Sequence, residues 1–170
     1  MSDSFTLYKL IVLYMLKKID FPLTNGQISE FILEKGYTSY FTLQQAISEM
    51  VVAGFIREET THNRTLYHLT EEGAETIQYF KTNISTAIRE EIDAYMKEKN
   101  YDLKNEVSVK ADYYQNNSHE YAVRCQIIEN QTSLIDLTIT VPSEDEAVSV
   151  SNNWNQKHQE IYALVMQNLL

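Results

Sequence analysis

Between Thr38 and Leu69 the chain holds a cluster of side chains whose types suit contact with nucleic acid. Tyr40, Thr42, Gln44, Gln45 and Ser48 lie in one short run whose apolar residues, Leu43, Ala46, Ile47, Met50 and Val51, repeat at helical spacing. The polar set therefore falls on the outer faces of one amphipathic helix, with Glu49 and Val52. Glutamine can bond adenine through two contacts, serine and threonine serve several bases, and tyrosine reaches phosphate. Arg64, at the tip of a polar hairpin, suits a minor groove or a phosphate, with Arg57, His62 and Lys35 nearby in sequence order.

The charge balance works against this chemistry. The chain carries a formal charge of -10. Residues 1–81 hold seven Lys/Arg against ten Asp/Glu, a net -3, and residues 82–170 hold seven against fourteen, a net -7. An acidic protein repels phosphate at long range. The helix Ser39–Ala53 contains no Lys or Arg, and Glu30, Glu34, Glu58 and Glu59 are close by in sequence. Phosphate neutralisation supplies most non-specific affinity, so one copy would bind weakly and a homodimer is expected.

Catalytic chemistry has no comparable cluster. His62, His68, His119 and His158 lie in different elements, without metal-ligand spacing. The single cysteine, Cys125, alternates with apolar residues, as a buried and inert thiol does. Glu90-Glu91 and Glu144-Asp145-Glu146 read as a solvated helix face and a helix start. Neither a glycine-rich phosphate loop nor a nucleophile elbow is present. No enzyme activity, metal or cofactor is expected. The apolar run Leu10–Leu16 is too short to span a bilayer and lacks a cleavage site. With one cysteine and no disulfide framework, the chain reads as cytoplasmic, with no membrane partner.

The elements that position the polar cluster follow from caps and periodicity. A first helix, about Ser4–Ile19, is apolar on two sides, through Phe5, Tyr8, Val12, Met15 and Ile19 and through Leu7, Leu10, Ile11 and Tyr14. One side should face its own domain, the other the second half of the chain or a partner. Thr24 and Gln27 form a capping box for a second helix, which Gly36 ends. The third helix starts at Ser39 or at Thr42 and closes at Gly54. Phe55–Thr60 and Thr65–Leu69 read as a hairpin, and Thr70 caps the next helix. Residues 71–100 are one long helix or two, because Thr82-Asn83-Ile84-Ser85 also fits a C-cap and a fresh N-cap.

From Glu106 the period is two. Val107–Tyr113, Tyr121–Ile127 and Ile135–Val141 alternate apolar and polar residues, as in a three-stranded antiparallel meander. Ser143 and Glu146 cap a last helix whose Ala147, Val150, Trp154, Ile161, Val165 and Leu169 should cover the sheet. The fold class is α+β: a winged helix-turn-helix domain over 1–81, then a helix-βββ-helix domain over 82–170 that dimerises or senses. Tyr113, Tyr121 and Trp154 could line a small-molecule pocket under that sheet, although core packing explains them more readily.

Gly54-Phe55-Ile56 followed by Tyr67-x-Leu69-Thr70-Glu71-Glu72-Gly73 resembles the wing region of MarR-like and PadR-like winged-helix transcription regulators, over about the first 80 residues. Over its whole length, including Thr42-Leu43-Gln44-Gln45, Leu134-Ile135-Asp136-Leu137-Thr138 and Val141-Pro142, the chain more closely resembles a small family catalogued only as a domain of unknown function. The resemblance implies a transcription regulator that binds duplex DNA as a homodimer. The alternative is a winged-helix protein–protein interaction module, which the acidity and the cation-free helix favour.

Overall fold

A computed structural model describes residues 2–170, with side chains from residue 4 onward. In chain order the elements are α1 (Ser2–Lys17), β1 (Leu23–Thr24), α2 (Asn25–Glu34), α3 (Tyr40–Ala53), β2 (Ile56–Thr60), β3 (Thr65–Leu69) and α4 (Glu71–Phe80). A 3₁₀ turn at Lys81–Asn83 leads to α5 (Thr86–Ser108), β4 (Val109–Gln115), β5 (Tyr121–Glu129), β6 (Thr132–Val141) and α6 (Glu144–Leu169). The fold is a mixed one of helices and antiparallel sheet. Among the described residues no helix is long and apolar enough to cross a membrane. Two compact units form: Met1–Thr60 with Arg64–Val107, and Thr61–Asn63 with Ser108–Leu170.

The first unit is built around α1, whose residues Leu10–Leu16 are all buried. Its second apolar side, expected to meet the other half of the chain or a partner, is covered within the unit: α1 touches α3, α4, β3 and the 3₁₀ turn. Thr24 and Gln27 form the expected capping box at the start of α2. Gly36, at φ 70°, ends that helix, and Ser39 caps α3, accepting from the Thr42 amide at 3.3 Å. Thr42 is thus inside the helix and Ser39 is the boundary. At the other end Gly54 takes the left-handed conformation, φ 83°, that a C-cap demands.

The hairpin β2–β3 pairs Ile56 with Leu69 through to Thr60 with Thr65. A two-residue strand, β1, adds to its other side, Leu23 opposite Tyr67, giving the order β1-β3-β2. The sequence showed no sign of β1, since two residues carry no periodicity.

At the end of the hairpin the Thr70 hydroxyl accepts from the Gly73 amide and donates to the Gly54 carbonyl at 2.7 Å. A Cβ on Gly73 would lie 2.0 Å from the Phe55 carbonyl oxygen, so only glycine fits.

Residues 71–108 form two helices. The break is the 3₁₀ turn and an extended Ile84, after which the Ser85 hydroxyl accepts from the Ile88 amide at 3.3 Å. α5 then runs beyond Asn100, because Ile92, Met96, Leu103 and Val107 continue one buried helical stripe. Val107, read as the start of a strand, ends that stripe, and β4 begins at Val109. Ile92, Met96 and Leu103 join the α1 core, so the first unit extends to Val107 rather than ending at 81.

The second unit is the antiparallel meander β4-β5-β6 under α6. Ala111, Cys125 and Leu137 stand in one cross-strand row, and Val109, Ile127 and Ile135 in the next. Asn130 and Gln131 both have positive φ, 50° and 64°, and form the two-residue turn that matches strand twist. Ser143 caps α6, and Ala147, Ser151 and Trp154 are its buried residues. The Trp154 indole donates to the Gln126 carbonyl at 3.2 Å. Val150 and Ile161 join this core, whereas Val165 and Leu169, expected to cover the sheet, are not part of it.

Gly73→Ala is expected to cost about 1–3 kcal/mol or more in a denaturant titration, the range of overpacked sites. Gly26→Ala should be neutral to stabilising by up to about 1 kcal/mol, because a Cβ there meets nothing closer than 3.7 Å. Burial pushes the Cys125 thiol up to about 11. It is therefore protonated near neutrality, and a thiol-titrating reagent should react slowly with folded protein and immediately in denaturant.

Candidate nucleic-acid interface

The outer stripe of α3 is where the candidate side chains meet solvent. Tyr40, Phe41, Gln45, Ser48, Glu49 and Val52 are exposed, while Leu43, Ala46, Ile47 and Met50 are buried on the opposite side. Phe41, Gln45, Ser48 and Val52 follow one another at helical spacing, so they form a continuous ridge. Its two ends are strongly apolar, Phe41 at 85% exposure and Val52 at 87%. Phe41 is not among the residues singled out from the sequence, where only polar side chains were considered for contact. The wheel drawn from Leu43 and Ile47 would have placed it outside.

The structure divides the nine candidates. Tyr40, Gln45, Ser48 and Arg57 are exposed. Gln45 makes one long contact, 3.5 Å, to Glu49. Gln44 is half-buried and joined to α2: its amide exchanges two 2.8 Å hydrogen bonds with the Asn25 side chain. Thr42 is half-buried, its hydroxyl 3.0 Å from that of Ser39. Gln44 thus ties α3 to α2, and Thr42 serves the start of α3.

The cations are similarly divided. Arg57 stands on β2 next to Glu58 and Glu59 in sequence. Lys35 is exposed but 3.6 Å from the Glu91 carboxylate. Arg64, expected at an exposed tip, is half-buried, and its guanidinium donates to the Glu106 carbonyl oxygen at 2.6 Å. Burial lowers its pKa, while Glu106 and Glu59 act in the opposite direction. His62 lies in the second unit, hydrogen-bonded to Asp112 and stacked on Tyr113 with ring centroids 3.8 Å apart. On α3 itself Glu49 pairs with Lys9 at 2.8 Å, and that hydrogen bond holds the carboxyl below its usual range.

The three rings considered for a small-molecule pocket pack against protein. Tyr113 meets Tyr121 edge-on at 6.2 Å and His62 on its face, and Trp154 is buried under the sheet.

The contrast between adjacent glutamines is directly measurable. Gln44→Ala is expected to destabilise the first unit by about 1 kcal/mol, because it removes two hydrogen bonds to the Asn25 side chain, which keeps its contacts with Ser29 and Tyr67. Gln45→Ala should stay within about 0.5 kcal/mol of the parent chain in the same titration.

No curated protein and no solved structure matches the chain. A family model does, over residues 8–169, which takes in both compact units. The chain therefore belongs to the family described as Domain of unknown function (DUF4364).

Proposed function

We propose that the first unit is a winged helix-turn-helix that binds duplex DNA, with α3 as the reading helix and β2–β3 as the wing, and that the chain regulates transcription as a cytoplasmic homodimer. One observation carries the reading. α3 follows α2 across a tight turn and offers Tyr40, Phe41, Gln45 and Ser48, all exposed, on its N-terminal half, the part of such a helix that meets base edges. Gln45 suits adenine, Ser48 several bases, and Phe41 the thymine methyl group. Tyr40 and Arg57 suit phosphate. Arg64 and Gln44 serve the protein's own architecture in this reading, and Thr42 supports the helix start.

With so few cations, binding by one copy is weak and strongly salt-dependent, and pairing two copies raises it. The test is a selection from random duplexes at about 50 mM salt. Anisotropy titrations of the selected site then compare the parent chain, Gln45→Ala and Arg57→Ala. Gln45→Ala is expected to cost about 1–3 kcal/mol and relax preference at one base pair, and Arg57→Ala to lower the salt slope by about one. A folded dimer that enriches no duplex would end this reading.

A second reading has its own observation. The same ridge carries no cation and ends in two of the most exposed apolar residues of the chain, Phe41 and Val52. A protein-binding winged helix uses such a ridge as an apolar anchor. It predicts a blank duplex selection, and a partner whose binding is lost in Phe41→Ala but unaffected in Arg57→Ala.

A further inference from the structure

One carboxylate of the hairpin is tied to α3. The register sets Glu58 opposite Tyr67 and Glu59 opposite Leu66, so Glu58 and Tyr67 share one face of the sheet and Glu59 belongs to the other. Glu59 is paired there with His68, 2.7 Å away. Glu58 is exposed and accepts from the Tyr67 hydroxyl at 3.4 Å. Tyr67 is itself buried, and the Asn25 side-chain amide donates to the same hydroxyl at 3.4 Å. Asn25 makes its shorter bonds with Gln44. A line of polar contacts thus runs from Glu58 on β2 to the turn of α3 that carries Gln45.

Cohesion of the fold does not require a charge at this place. The Tyr67 hydroxyl needs only an acceptor, and a neutral amide supplies one. Burial, and after it the Glu58 carboxylate, raise the Tyr67 pKa, so the hydroxyl keeps its proton and donates it. That bond engages Oε2, one of two carboxylate oxygens that can each accept. α3 contains no lysine or arginine to neutralise the charge. The side of the hairpin tied to α3 therefore presents an ionised acceptor to solvent.

We propose that Glu58 determines the specificity of the duplex site, its carboxylate accepting a hydrogen bond from the amino group of a cytosine in the major groove. The inference rests on the duplex reading of the preceding section and adds a base to it. Guanine presents only acceptors on its major-groove edge, and thymine an acceptor and a methyl group, so neither can bond a carboxylate. Adenine sets an acceptor beside its amino group, a pair that the Gln45 amide matches and a carboxylate does not. Cytosine offers the amino donor that an acceptor-only group needs. A duplex without that donor leaves Glu58 desolvated and unbonded, and the same charge repels phosphate. The site is then selective by what it rejects, which suits a protein with so few cations.

Selection from random duplexes by the full chain, by Glu58→Ala and by Glu58→Gln tests the proposal, with circular dichroism to confirm folding. Sites selected by the parent should hold a fixed cytosine. In anisotropy titrations, exchanging that C·G pair for T·A should weaken the parent about tenfold or more and Glu58→Ala less than about twofold. Glu58→Gln should turn the preference at that position toward adenine. Both variants should bind unselected duplex several-fold more tightly at low salt. Glu75→Gln, which removes an exposed charge from α4, should not. A parent site without a fixed cytosine, a preference that survives Glu58→Ala, or an equal gain in Glu75→Gln would overturn the proposal. Any of these with a duplex selected ends this inference alone, whereas no duplex selected by the parent or by either variant ends the duplex reading with it.

Discussion

The hydroxyl of Thr70 and the missing side chain of Gly73 together hold the point where four elements of the first unit converge. Thr70 follows β3, caps α4, and bonds the carbonyl of Gly54 at the end of α3, while Gly73 lets α4 approach the backbone of Phe55 where β2 begins. The angle between α3 and the hairpin is therefore set by backbone contacts with little room to relax. Everything proposed for the α3 ridge depends on this. A reading helix is useful only if its ridge is held at a fixed attitude, and here the attitude is fixed from behind the helix. The ridge itself supplies no packing and is free to carry recognition.

Burial explains why the candidate charges are divided as they are. A guanidinium placed against a carbonyl and two carboxylates, as Arg64 is, contributes to the unit's cohesion and loses its reach toward an external phosphate. Gln44 repeats the trade on a smaller scale, its amide spent on Asn25 while Gln45, one residue on, faces water. The remaining ridge is polar in the middle and apolar at both ends. Such a surface offers shape and hydrogen bonding more than charge.

Much of the fold was legible because its signals are local. The Thr24–Gln27 capping box, the left-handed glycines at 36 and 54, the Thr70 cap and the alternation within β5 and β6 all act over a few residues, and the structure uses each of them. What was illegible depends on partners distant in sequence. β1 exists only through pairing with β3. Val107 satisfies both a strand alternation and the buried stripe of α5, and packing chose the helix. α5 carries as many core residues for α1 as the earlier helices do, so a boundary at 81 cut through one hydrophobic cluster. The inward turn of Arg64 had no local signal, since an arginine beside a polar hairpin reads as exposed.

One extra residue in β6 acts as a parity selector for the second unit: Ile128 faces Ser133 whereas Ile127 faces Ile135, so Leu134 bulges from the ladder that the turn at Asn130-Gln131 starts. Two consecutive non-glycine residues in the left-handed region cost backbone energy, yet they close the hairpin with a defined number of residues. Side chains on a strand alternate with period two, so a slip of one residue would exchange the two faces of β6. Asp136 and Thr138 would then lie on the α6 side, with Ile135, Leu137 and Ile139 on the outer face. The turn and the single extra residue beside it thus decide together which side chains β6 presents on each side.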